Sequence, residues 1–333
     1  MIGQESLLVS LVRLVDRLPT PPAPTKRSRG RPYTYSDRLF LKALIIMIVR
    51  HLHTVHELLS VLAQDTAEMH TLRTLLTLEG KYPSRRTWER RLKRLPLTLP
   101  AQIGCLGRYL VELIEPFASC GRAVAIDSTV LRARGGVWHK KDREAGKVPH
   151  TSIDTEAHWT KSGWHGWVYG WKLHLVTTVA AVWIPLAAEL TPANVADNEQ
   201  ALTLLAELPS EVRYVLGDQH YNDESLRAVC AQAGREVVAT RRAAYPHTDN
   251  GVGVRRVFHA LRSRAIENLN EQFKGIFDAH GQVPTKGLTN TRRFALGAVL
   301  VYQLTLWYRH EHGLDAAKRH GSSPIGTKRV NAQ

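Results

Sequence analysis

Asp127 interrupts an apolar run, Ala123 to Ile126, and an ionised carboxylate there is costly unless its pKa moves, a cation pairs with it or a metal takes it. Asp218 has the same character, closing the run RYVLGD just before the chain turns into QHYND. If the strands that carry them are neighbours, the two carboxylates converge on one point. A third acid, delivered by a helix packed across that edge of the sheet, completes a hard-oxygen site suited to Mg²⁺, with Mn²⁺ as a substitute. Glu267 and Glu271 lie one turn apart on a helix-forming stretch, so either is placed to supply it. Two Mg²⁺ ions about 4 Å apart in such a site activate a water or a 3′-hydroxyl and stabilise the leaving oxygen of an in-line attack on phosphorus, without a protein nucleophile. An isolated Asp at a strand end is usually a turn former. Three acids in this order of elements, in a basic chain, read instead as a metal site for phosphoryl transfer.

The pattern also shows the elements that must position these acids. Residues 122–134 alternate and then run apolar as a strand, and a loop rich in Gly, Lys and His follows to about 168. GWKLHLVTTVAA and VWIPLAAEL are two β-rich runs with almost nothing between them, a hairpin signal. Helix is expected over 197–208, strand over RYVLGD, helix over 223–233, strand over EVVAT, a long helix over about 256–277 and a last helix over 290–312. That succession is of the α/β (α+β) class, a ribonuclease-H-like mixed five-stranded sheet flanked by helices. It is assigned to a catalytic domain over 119–313, followed by a disordered tail over 314–333.

Upstream, residues 1–24 are read as a short amphipathic helix over 3–18, with Leu7, Leu11, Leu14, Val15 and Leu18 at helical spacing, then a Pro-rich linker. KRSRGRP follows, and its Arg29-Gly30-Arg31-Pro32 has the form of an AT-hook, which lays Arg-Gly-Arg into a narrow minor groove; a plain solvated linker explains it equally well. Helices expected over 36–64, 67–78 and 98–116 make 25–118 an all-helical, helix-turn-helix-like DNA-binding region. In PSRRTWERRLKRLP, Ser84 caps a helix whose Arg85, Arg86, Arg90, Arg91, Lys93 and Arg94 leave Trp88, Leu92 and Leu95 for packing. Six cations in ten residues need phosphate or solvent to receive them, so this is the candidate recognition helix. His51, His53 and His56 lack the spacing and the carboxylate of a zincin and read as structural.

The whole chain carries a formal charge of +15 with a pI near 10.0, which points to a polyanionic partner, nucleic acid first. Residues 1–121 hold 18 Lys and Arg against 10 Asp and Glu and the rest 27 against 20, so a DNA path over the whole molecule fits better than one basic tail. Cys105, Cys120 and Cys230 are too few and too scattered for a disulfide framework or a zinc knuckle. The apolar run Ala43–Val49 is too short to span a bilayer, and no secretion signal is read, so a cytoplasmic, nucleoid-associated protein of a bacterium or archaeon without membrane contact is expected.

Five segments taken together resemble the landmarks of the DDE transposases of bacterial insertion sequences, in particular families four and five: IDST at 126–129, GWKLHL at 170–175, PANVADN at 192–198, LGDQHYND at 216–223 and AIENLNEQFK at 265–274. The resemblance covers about residues 120–310, more loosely Arg31–Pro96. It implies that Asp127, Asp218 and Glu267 are the metal-binding triad and that Lys274, two turns beyond Glu267, contacts DNA at the transposon end. It also implies supporting roles for His174, Asp197 and Tyr221, and a homodimer that holds two ends on double-stranded DNA, the terminal inverted repeats and the target. Family four places a tyrosine and an arginine ahead of the glutamate; here the tyrosine is missing and Ser263 stands in the arginine position between Arg262 and Arg264, of which Arg264 is assigned the role. Only 48 residues separate Asp218 from Glu267, which leaves no room for a large β insertion.

Trp138, Trp159, Trp164, Trp167 and Trp171, interleaved with Lys140, Lys141, Lys147 and Lys161, either stack on bases near a cut or staple a long loop to the core. Two rival functions stay open, a nuclease on the same sheet that never joins strands and a DNA-binding regulator without catalysis. Nucleotide cofactors are not expected: Gly146-Lys147 is followed by Val148 with Lys141 where a phosphate loop needs glycine, and no Gly-x-Ser-x-Gly elbow or dinucleotide fingerprint occurs.

Overall fold

Ser6 accepts the Val9 amide hydrogen bond and starts α1 (Leu7–Leu14), which turns Leu8, Val9, Leu11, Val12 and Leu14 inward. This is a computed structural model, and it describes residues 5–22, 34–147, 149–163, 166–239, 249–276 and 282–314. α2 (Asp37–Val49) is buried almost all round, from Leu39 to Ile48. The single helical stretch expected over 36–64 is two helices, because His51 adopts a left-handed φ of 53° and Thr54 and Glu57 then form a capping box that starts α3 (Val55–Leu62). Thr66 caps α4 (Ala67–Leu75) and Ser84 caps α5 (Arg85–Leu92). α6 (Leu99–Ile114) and the short α7 (Phe117–Cys120) lead into the sheet.

Among the described residues the sheet has six strands rather than the five expected. β1 (Ala123–Arg132) is followed by a loop containing a short helix α8 (Lys140–Glu144), then β2 (His158–Ser162), β3 (Gly166–Thr178) and β4 (Pro185–Pro192). β3 is long enough that β2 pairs with its first part and β4 with its second, both antiparallel, while β1 runs antiparallel along its other edge. After α9 (Asp197–Ala206), β5 (Tyr214–Gly217) joins β1 in parallel, and after α10 (Glu224–Gln232), β6 (Glu236–Ala239) joins β5 in parallel. Leaving β2 aside, the spatial order β4-β3-β1-β5-β6 is the ribonuclease-H-like order, three antiparallel strands and then two parallel ones.

α11 (Asp249–Ile276) lies across β1 and β5, burying Ala265 and Ile266 against Ala125, Val179 and Leu216. α12 (Leu288–Glu311) is sheathed by α1, α2, α6 and β4, and it is buried at Thr291 and from Arg293 to Trp307. Gly297 allows its close approach to α2, since a Cβ there would sit 3.2 Å from Leu44, and Gly107 does the same for α6 against β4, where a Cβ would lie 2.3 Å from the Pro185 carbonyl. One continuous apolar core therefore runs from Leu8 in α1 to Trp307 in α12, taking in both the helices and the sheet. Among the described residues no helix is long and apolar enough to cross a membrane.

Candidate active site

The parallel register between β1 and β5 sets the geometry. Ala125 stands beside Leu216 at a strand spacing of about 4.8 Å, and two residues further on come Asp127, still within β1, and Asp218, the first residue past β5. Both lie just beyond the stretch over which β1 and β5 pair in parallel, Asp127 in the middle of β1 and Asp218 at the carboxyl end of β5, the side of an open α/β sheet on which ligands bind. Asp127 Oδ1 accepts from the Ser128 amide at 2.8 Å, and Oδ2 is 3.0 Å from Nη1 of Arg262 on α11. Burial pushes the Asp127 carboxyl up to about 6; Arg262 and the Ser128 amide oppose this, and the charges of Asp218 and Asp197 add to it. Asp218 closes β5 by accepting from the His220 amide at 2.8 Å, which starts the one-turn helix Gln219–Tyr221.

That turn folds Tyr221 under the strand end, where Gly217 makes room: a Cβ on Gly217 would be 2.7 Å from the tyrosine. Tyr221 is 1% exposed and among the described residues its hydroxyl has no hydrogen-bond partner. Burial and the nearby charges of Asp127, Asp197 and Asp218 hold its pKa well above the usual phenol value. On the far side of β1, His174 stands opposite Ser128 in the β1–β3 ladder, donating to or accepting from Thr191 Oγ1 at 2.8 Å. Burial lowers the His174 pKa to about 4, so the ring is neutral, and its Nδ1 lies 3.6 Å from Asp197 Oδ1, too long for a hydrogen bond. Asp197 opens α9 and accepts from Lys172 Nζ at 3.1 Å. Lys172 is a residue that the sequence reading passed over, although in a strand it shares a face with His174 two residues on.

α11 brings to the aspartates an arginine to which no role had been given. Arg262, Ile266, Leu269 and Phe273 recur at helical spacing on the face of α11 turned to the sheet, whereas Arg264 is exposed. The guanidinium beside the aspartates is thus Arg262. Glu267 falls about 100° round the helix from Ile266 and is exposed, as is Glu271. Among the described residues no three His, Cys, Asp or Glu stand together as a metal site, so Glu267 is not gathered with the two aspartates. The aspartate pair itself fits a divalent cation: its donors are hard carboxylate oxygens, Asp197 adds charge of the same sign, and the Tyr221 hydroxyl lies within the field of all three.

The candidate DNA contacts divide. Arg85, Arg86 and Arg90 are exposed on α5, with Arg85 paired to Glu89 at 2.9 Å. Arg91 is turned inward instead, 4% exposed, with its guanidinium on Asp37 at 2.5 Å and over the Phe40 ring at 4.6 Å. It holds α5 onto α2 and does not face a duplex. The tryptophan loop is mostly a staple: Trp171 is buried, Trp159 donates to the Trp138 carbonyl at 2.8 Å, and Arg143 covers the Trp138 ring. Trp167 is the exception, 67% exposed on β3 opposite Lys161 of β2. Arg29, Arg31, Trp164, the Lys274 side chain and the tail from residue 315 lie outside the described residues.

Residues 118–304 match the family model described as the transposase DDE domain. No curated protein matches. Among solved structures, a piggyBac transposase synaptic complex with hairpin DNA is similar at 9% identity over 93% of this chain and 74% of that one, with a TM-score of 0.38. A Mos1 transposase paired-end complex with the left transposon end is similar at 15% identity over 78% and 82%, with a TM-score of 0.21. At those values the family rests on the sequence model.

Proposed function

Because the chain belongs to the DDE transposase domain family, we propose that it is the transposase of an insertion sequence of the family four or five kind, binding the terminal inverted repeats, cutting the ends and joining the 3′ ends to target DNA. The observation that carries this reading is the pair Asp127, within β1, and Asp218, just past the end of the adjoining parallel strand β5. These two carboxylates would hold Mg²⁺, with Glu267 brought to them from α11 as the third ligand when DNA is engaged. Divalent cations, when bound, supply the activation of the attacking oxygen and the stabilisation of the leaving one. Tyr221 fills the space beneath the end of β5, while Lys172 holds Asp197 and Thr191 holds the His174 ring beside it. Arg85, Arg86, Arg90, Arg264 and Lys274, with Arg29 and Arg31, are the proposed phosphate and base contacts, and two copies hold two ends.

The test is a joining assay with purified protein, Mg²⁺, labelled terminal repeats and a target plasmid. Native protein yields joined product, and Asp127→Ala or Asp218→Ala lowers it by about a thousandfold, the worth of several kcal/mol of metal stabilisation. Glu267→Gln should match them while Glu271→Gln retains activity. Hydrolysis without joining would identify a nuclease on the same sheet, and duplex binding with no cleavage would identify a regulator.

A further inference from the structure

Arg262 occupies an unusual place for a cation in a pocket that is to receive another. Its Nη1 lies 3.0 Å from Asp127 Oδ2, its side chain is only 11% exposed, and among the described residues its Nε has no hydrogen-bond partner. A guanidinium and a divalent cation cannot share one carboxylate oxygen in a partly buried pocket without strong repulsion, since screening there is weak. Arg262 therefore stands in for the cation while DNA is absent, neutralising a carboxylate that burial would otherwise leave uncompensated. The side chain is also suited to leave. Its Nε is not held, and its planar fork matches phosphate oxygens as well as it does a carboxylate.

We infer that Arg262 is a counter-ion switch that ties cation loading to DNA: a phosphate of the bound end draws the guanidinium off Asp127 and so opens that carboxylate to the metal. This rests on the reading of Asp127 and Asp218 as cation ligands given above. Linkage makes the effect reciprocal, so cation binding must also favour the state in which Arg262 holds phosphate. A transposase with this device keeps its cation site weak until an end is in place, which limits cutting of unrelated DNA.

The experiment measures Mn²⁺ binding by calorimetry and by loss of the free-ion paramagnetic resonance signal, on the full chain, with and without a duplex carrying the terminal repeat. Without DNA, Arg262→Gln should bind Mn²⁺ tighter than the native protein by about tenfold or more, within the ordinary range of coupling between sites. Arg262→Lys, which keeps the charge, should stay near the native affinity. Addition of duplex should tighten Mn²⁺ binding in the native protein and much less in Arg262→Gln. Should the glutamine variant fail to fold, Arg262→Met, neutral with an unbranched stem, takes its place. Equal or weaker Mn²⁺ binding by a folded neutral variant overturns the switch. Asp127→Asn and Asp218→Asn serve as the separate control: if neither weakens Mn²⁺ binding, the cation-site reading itself has failed, and if both do, only the switch is at stake.

Discussion

Asp127 sits within an apolar strand with the Arg262 guanidinium 3.0 Å from its carboxylate. Its folded pKa, about 6, lies above the value near 3.8 of an unhindered aspartate, so the folded chain holds this proton more tightly than the unfolded chain. Stability from this group is therefore greatest at low pH and is lost as pH rises through about 6. Asparagine at 127 mimics the protonated state at every pH. In chelator, Asp127→Asn should be more stable than the native chain at pH 7.5 by about 2 to 3 kcal/mol, at 1.36 kcal/mol per decade, with the difference shrinking as the pH falls towards 4. Urea denaturation at several pH values measures it, and a gain that does not change with pH would show that packing is responsible. The tension at Asp127 was readable from AVAID alone, because an acid in an apolar run must find a partner. The partner's identity was not. Arg262 and Arg264 are equivalent in composition and differ only in helical phase, which is fixed by the face on which Ile266, Leu269 and Phe273 are buried. Counting back four from Ile266 would have picked out Arg262.

At the scale of elements, α5 shows how one basic run serves two ends. Arg85, Arg86 and Arg90 point outward, and each replaced by alanine should weaken duplex binding and lower the slope of affinity against salt by about one. Arg91→Ala should leave that slope unchanged and lower stability by about 1 to 3 kcal/mol, because Asp37 and the Phe40 face lose their cation. Equilibrium binding at several salt concentrations, paired with thermal melts, separates the two groups; a salt-slope change in Arg91→Ala would contradict its inward role. Packing of α6 on β4 gives a second check at this scale. Gly107→Ala drives a methyl into the Pro185 carbonyl and should destabilise the chain by about 1 to 3 kcal/mol, measured by urea midpoint. The strands that bear the aspartates and the long helices followed from periodicity and apolar runs. β2 did not, since HWTKS is half-exposed and lacks an apolar face; it is a strand because β3 extends past β4 and leaves an edge to pair. Its partner is the next segment of the chain, yet a half-exposed strand with no apolar alternation leaves little local signature.

For the molecule as a whole, the deciding element is α12. Its sequence belongs to the end of the sheet region, yet Leu296, Leu300 and Leu304 are fully buried and its neighbours include α1, α2 and α6 as well as β4. Gln303 strengthens the tie, donating to the carbonyls of Ile103 in α6 at 2.9 Å and Pro185 in β4 at 2.8 Å. A boundary drawn near residue 118 by change of pattern thus cuts through a single core. Removal of residues 1–118 would strip α12 on several sides and expose a contiguous apolar surface, the condition that leads to aggregation. The full chain should then melt in one transition, with calorimetric and van't Hoff enthalpies in agreement, and a fragment of residues 119–313 should fail to give a cooperative melt. Two separated transitions in the full chain, or a fragment that melts sharply and remains monomeric, would show that the helical region and the sheet are independent. The same coupling bears on function. The cations exposed on α5 and the strands that carry the aspartates are joined by the same apolar core, so if a duplex binds at α5 its position relative to the acids is set by packing and not by a linker.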